Sequence, residues 1–331
     1  MIEPMPANDP VPCLWSRRLL LTALMVGSAT VMSGCRVRLE DDAPRIPGLP
    51  ARQPIPDEQA LLLARHDALR LQALAAGLGA SSTALTELLA TLHGRQAGVF
   101  GSVLRSGGVP QGEISATPRP TATTTTGGAV SVPVPTPSGV SELIAAEAEG
   151  TDAQALSDLA EISRDRVALF GSMAAQRGSA VRLLGGRLPS TGAPTGPTGV
   201  VAAAQLEAVR SAVYGFEVVV AQIDASHRMA AARTLGMVRA ASAELQLLAG
   251  SAAKPIPLGY ALPFPVSTPA AALRLATHLM TALGEVIASQ LPAVSGDPAD
   301  LTGTVHLLTD VCVDAVTWQV PLTAFPGLTY T

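Results

Sequence analysis

Leu206-Glu-Ala-Val209-Arg-Ser-Ala-Val213-Tyr-Gly-Phe216-Glu-Val-Val-Val220-Ala-Gln-Ile223 repeats large apolar residues at alternating spacings of three and four. That period places them on one stripe of an α-helix. The helix reads from about residue 199 and ends at Asp224 to Ser226. Three more follow it. Arg228 to Gly250 turns Leu235, Val238, Leu245 and Leu248 inward, with Gly250 as a C-terminal cap. Thr268-Pro269 and Asp297-Pro298 each set a capping side chain ahead of a proline at the first helical position. The stripes behind them are Leu273, Ala276, Met280, Leu283, Ile287 and Leu301, Val305, Leu308, Cys312, Ala315, and Pro321 stops the last helix. Lys254 to Pro265 is a long crossing loop. Residues 199–331 therefore predict an all-α fold, a four-helix bundle with the long crossover seen in ferritin-like folds.

Upstream, residues 57–185 predict a second helical region. Asp57 can cap a helix running to about Gly77, and Ser81 or Ser82 opens another with Leu85, Leu88, Leu92, Val99 and Val103 on one stripe. Residues 107–139 carry Gly, Pro, Ser or Thr at 22 of 33 positions, too little apolar surface to offset ordering, and read as a disordered insertion. Val140 to Leu184 supplies one or two helices, with Gly150 to Asp152 or Ser163 as candidate breaks. The Gly/Pro/Thr-rich residues 186–198 read as a linker and a domain boundary.

The N-terminus reads as an address. Arg17-Arg18 precede a 14-residue apolar run, Leu19 to Met32, and then small residues before Cys35. A spanning helix needs about 20 apolar residues, so the run is an export signal over residues 1–34 and not a transmembrane anchor. Ser16-Arg17-Arg18 resembles the twin-arginine export motif, with the general secretory route as the alternative. Met32-Ser33-Gly34-Cys35 resembles the lipobox of bacterial lipoproteins, which implies a diacylglycerol on Cys35, further acylation (palmitate) and attachment to the bilayer. Residues 35–56, with five prolines from Pro44 to Pro56, read as an extended tether. The expected location is the extracytoplasmic face of the cell membrane. With Cys13 removed and Cys35 lipidated, Cys312 has no disulfide partner and reads as a buried small hydrophobe.

Composition narrows the partners. The chain of 331 residues is 48% hydrophobic but only 3% aromatic, with a net charge of −4. Its basic residues are 21 Arg and a single Lys, Lys254, spread without a run. Single-stranded nucleic acid needs stacking rings and a basic groove, so nucleic acid is excluded as a partner.

Gly259-Tyr260-Ala-Leu-Pro-Phe-Pro-Val266, Thr268-Pro269-Ala-Ala-Ala-Leu273, Ala212-Val213-Tyr214-Gly215-Phe216, Trp318 and Phe325-Pro-Gly-Leu328 together carry a resemblance. Over residues 199–328 the chain resembles an uncharacterised ferritin-like domain of exported lipoproteins from high-GC Gram-positive bacteria. The resemblance implies a fold and no established activity. Ferritin-like bundles with a dinuclear metal centre place Glu-x-x-His on two of their helices, and no glutamate here has a histidine three residues later. No nucleophile elbow, phosphate-binding glycine loop or Cys-x-x-Cys pair is present either.

The remaining candidate residues are sparse. His306, Asp310 and Asp314 share a helix face at i, i+4 and i+8, as half a metal site or a solvated stripe. Asp224 and His227 read as a cap and turn. Glu217 lies in an aliphatic run at the edge of the apolar stripe, satisfied by Arg210, another helix or water. His66 and His93 lie one per helix in the first region. The expectation is a membrane-anchored envelope lipoprotein, probed by an unknown envelope protein or small molecule through a non-catalytic binding or scaffolding module without cofactor or metal. The alternative is a divergent metal-binding or oxidoreductase bundle built on Glu207, Glu217, Glu244 and Glu285, and an alanine-lined bundle can also carry an apolar ligand.

Overall fold

Side-chain caps set several of the helix starts. Thr83, Asp152, Thr268 and Asp297 each accept a hydrogen bond from a first-turn backbone N–H, and Pro269 and Pro298 fill positions where no N–H is required. The computed structural model describes residues 52–116, 139–188 and 196–329. The export signal at 1–34 with Arg17 and Arg18, the lipid site Cys35, most of the tether, and residues 117–138 and 189–195 lie outside them.

Among the described residues the fold is all-α. The helices are α1 (Glu58–Ala76), α2 (Ala84–Ser106), α3 (Gln111–Ser115), α4 (Val140–Glu149), α5 (Ala153–Ala160), α6 (Arg164–Leu183), α7 (Gly199–Gln222), α8 (Arg228–Ala249), α9 (Pro269–Gln290) and α10 (Pro298–Thr317). α1 pairs with α2, and α1 also rests on α4. α7 packs between α8 and α9, α9 packs on α10, and α10 touches α8 only lightly. Gly215 permits the α7–α9 approach, because a Cβ there would stand 2.5 Å from the Leu279 side chain. α9, continued to Val294, is the one described helix long and apolar enough to cross a membrane, and its inner face is buried against the other helices.

Trp318 fastens three of these helices. Its buried indole N–H donates to Thr234 Oγ1 at 3.0 Å on α8, its ring lies 5.7 Å from that of Phe216 on α7, and its carbonyl accepts from Thr277 on α9 at 2.8 Å. Trp318, and not Pro321, follows the last turn of α10. The chain then runs back over the first helices. Phe325 meets Phe100 edge-on at 5.9 Å, Ala324 O accepts from Gln96, and Pro326 O accepts from Ser172. Gly327 has φ 73°, and a Cβ there would lie 2.5 Å from Gly284 O, so a side chain is excluded on both counts.

Several sequence expectations shift. Asp57 has no side-chain bond to α1. Its carboxylate accepts from the backbone N–H and hydroxyl of Ser163, with Arg166 at 3.5 Å, which joins the start of α1 to the start of α6. Thr83 and not Ser81 or Ser82 caps α2. Residues 107–116 of the expected insertion are ordered, because Ile114 of α3 is buried and Glu113 bonds Arg52 at 2.7 Å. Both candidate breaks between 140 and 185 are used, giving three helices. The boundary at 186–198 is not a gap in the packing. α6, buried from Leu169 to Val181, packs on α10 and α9, so the first helices and the last four share one core.

Candidate functional site

A cleft of about 420 Å³ opens where the loop after α8 crosses the α7–α8 pair. Arg210 fixes the near end of this loop. Its guanidinium, on a 7% exposed residue of α7, donates to Lys254 O at 2.8 Å and to Gln246 Oε1 of α8. Past that anchor, Ile256 to Tyr260 stand off the helices and wall the cleft opposite Tyr214 and Ala243. Prolines 255 and 257 remove two backbone donors and hold the strand extended.

One sequence candidate lies here. Glu217 accepts a hydrogen bond from Arg239 Nη2 of α8 at 2.7 Å, with both side chains about half exposed, at 47% and 57%. It is satisfied by a neighbouring helix and not by Arg210. The Tyr214 and Tyr260 rings lie 6.0 Å apart and tilted by 49°. Burial, and then the nearby Glu207 carboxylate, push the Tyr260 phenol upward, so its hydroxyl keeps its proton. The walls thus offer an ion pair, two phenol rings, the Ser242 hydroxyl and an apolar rim. These groups can hold a ligand through ring contacts, hydrogen bonds and charge.

The other candidates do not converge on the cleft. Asp310 binds Arg182 of α6 and makes no hydrogen bond to His306. His306 is partly buried, and desolvation, aided by Arg182 and opposed by Asp310, lowers its pKa. Cys312 is buried and its thiol is pushed up to about 12 by burial, which suits an inert core residue. Asp224 caps the α7–α8 turn through Ser226 and His227, and those hydrogen bonds hold its carboxyl well below the usual range. Glu207 stands beside Tyr260, Glu217 on Arg239, Glu244 near Asp310, and Glu285 in solvent. The four glutamates weighed for a metal centre therefore stand apart. Among the described residues no three His, Cys, Asp or Glu side chains are grouped to hold a metal ion.

A second polar constellation was not foreseen. His93 and Gln96 of α2, Glu147 of α4, and Gln176 and Arg177 of α6 are all buried to within 4%. Ala324 O can only accept, so the Gln96 atom 2.8 Å from it is Nε2, which also donates to Gln176 Oε1 at 2.9 Å. Gln96 Oε1 then accepts from His93 Nδ1 at 2.9 Å. His93 Nε2 lies 2.7 Å from Glu147 Oε1, and one proton is held between them. Arg177 lies 3.6 Å from the other Glu147 oxygen and donates to Ala146 O at 2.7 Å. His66 is not part of it.

Residues 201–330 match the model of one family, described as Domain of unknown function (DUF4439). The match spans α7 to α10 and the returning segment, and with it the cleft. No curated protein and no solved structure matches the chain. The DUF4439 region coincides with the resemblance read over 199–328, and the first two residues of its Gly259 to Val266 string, Gly259 and Tyr260, belong to the wall of the cleft. Trp318 and Phe325 to Leu328 are its fastenings.

Tyr260 was legible only as part of that string, and Arg239 carried no signal, because the helix that bears it is rich in arginine.

Proposed function

We propose that the chain is a lipid-anchored envelope protein whose DUF4439 region is a non-catalytic, ferritin-like binding module, with the cleft as its ligand site. The observation that carries the binding role is the cleft itself, an open recess floored by two helices and roofed by a loop fixed at Arg210. A partly apolar recess with a few convergent polar groups is the usual form of a small-molecule site. The rings of Tyr214 and Tyr260 with the Glu217–Arg239 pair suit a flat apolar ligand bearing a hydrogen-bonding or charged edge. The ferritin-like reading is supported by the helix order, with α8 joined to α9 by residues 250–268. The lipid anchor is supported by the residues before Cys35, and a Cys35→Ser chain should leave the membrane fraction and lose the mass of its acyl groups.

Native mass spectrometry of the full chain taken from its own envelope tests the binding role. A retained small molecule is expected, and it should be lost from Gly259→Phe. A Cβ at position 259 would meet only the Tyr214 ring at ordinary contact distance, so the added side chain enters the cleft without disturbing the core. A chain that is empty by mass, and whose melting temperature is unchanged by its own envelope extract, would overturn the reading.

A further inference from the structure

The outward face of α8 is bare among the described residues. Met229, Ala232, Gly236, Ala240, Ala243 and Leu247 are all exposed, and Met229 and Leu247 are 81% and 82% exposed. These two lie five full turns apart on the same side of the helix, at the ends of a stripe about 27 Å long. Between them the residues are small, and a Cβ added at Gly236 meets nothing within 4 Å. A second helix can approach closely along such a stripe.

The charges beside the stripe say which helix. Arg233 and Glu244 lie on the same flank of α8, eleven positions and so about 16 Å apart, too far to bond each other. Among the described residues Arg233 makes no ion pair or hydrogen bond, and Glu244 has only the like charge of Asp310 beside it. Burial and then the Asp310 charge raise the Glu244 carboxyl. Both charges sit at nearly equal distances from the middle of the stripe, with opposite sign.

We infer that α8 pairs with α8 of a second copy of this chain, antiparallel about a twofold axis that crosses the stripe between Gly236 and Ala240. That axis sets Met229 against the partner's Leu247 and Gly236 against the partner's Ala240. It keeps each flank on its own side, so Arg233 falls beside the partner's Glu244 and Glu244 beside the partner's Arg233. The patch is self-complementary in both shape and charge, which is the requirement for a closed isologous dimer. Each arginine and each glutamate gains one partner, so the ion pair forms twice per dimer. The pairing and the cleft use different sides of α8 and meet only at Ala243: the Arg239 and Ser242 side lines the cleft, and the rest of the stripe faces the second copy.

Sedimentation equilibrium of the full chain in density-matched detergent tests this. The chain should show a monomer–dimer equilibrium. Arg233→Glu and Glu244→Arg should each weaken it about tenfold, two exposed pairs being exchanged for two repulsions. The double exchange should restore the wild-type constant to within about threefold, a rescue that a folding defect cannot mimic. Gly236→Arg, placed in open space and so neutral to the fold, should leave the chain monomeric. A wild-type chain that is monomeric throughout overturns the inference, as does a dimer indifferent to all of these changes. A monomer that instead binds phosphatidylglycerol vesicles through Met229 and Leu247 also overturns it, and gives the stripe to lipid.

Discussion

The His93–Glu147–Arg177 group and the Glu217–Arg239 pair use similar side chains to opposite ends. In the first, every member is buried, and hydrogen bonds connect three helices and the returning segment at Ala324. In the second, a single ion pair stands half exposed at the rim of a cleft. Water sets the difference. A buried polar group that loses its partner must bear its full desolvation, whereas an exposed one exchanges its partner for solvent. The first constellation therefore specifies how the helices meet, and the second is free to exchange partners with a ligand.

Removing the Glu147 side chain should have the largest effect. Glu147→Ala strands His93 Nε2 and the Arg177 guanidinium in the core and should cost about 3–5 kcal/mol, read from urea midpoints of the full chain. The returning segment offers the next test. Gly327→Ala forces a side chain into φ 73° and against Gly284 O, and should cost about 1–3 kcal/mol. Because this segment carries the Ala324 acceptor, the loss should show as earlier hydrogen exchange at Gln96 on α2. Glu217→Gln, by contrast, should change stability by less than about 1 kcal/mol. Its effect should fall on ligand retention, measured by native mass spectrometry. Equal destabilisation by Glu147→Ala and Glu217→Gln would erase the contrast.

The two regions also differ in how much of them the sequence disclosed. Apolar periodicity and caps located both ends of α7 and α8 and the starts of α9 and α10 to within a residue or two, while α10 stops at Thr317, short of the Pro321 that the sequence offers as its end. In α2 the same reasoning finds the edge of the buried face and not its centre. Of the stripe Leu85, Leu88, Leu92, Val99 and Val103, Leu92 is buried and the others pack partly buried against the core, whereas the centre of the face is Leu89, His93, Gln96 and Phe100. A polar side chain satisfied by other helices looks solvated to any count of apolar residues. α6 was obscured for a similar reason, as Ser172, Gln176, Arg177 and Ser179 lie in its fully buried stretch. Of the cleft, Glu217 was visible as an acid among valines. Arg239 and the path of the loop depend on contacts between distant residues, which no local pattern encodes.

His306 gives the smallest effect and tests whether a partly buried charge on α10 behaves like the core or like the rim. Desolvation holds its folded pKa below the ordinary imidazole value of about 6.5. The unfolded chain therefore binds this proton more tightly than the folded one. Above pH 6.5 the residue is neutral in both states and its contribution is fully present. As pH falls below that value the unfolded state gains the proton first, so stability declines, and the decline levels off once the folded pKa has been passed. His306→Asn should remove that part of the acid limb while leaving stability near pH 8 almost unchanged. If the acid limbs of the two chains coincide in urea melts between pH 4 and 8, solvent reaches the imidazole freely, and α10 belongs with the exposed rim. If His306→Asn instead lowers stability equally at every pH, its role is packing, as in the core beneath it.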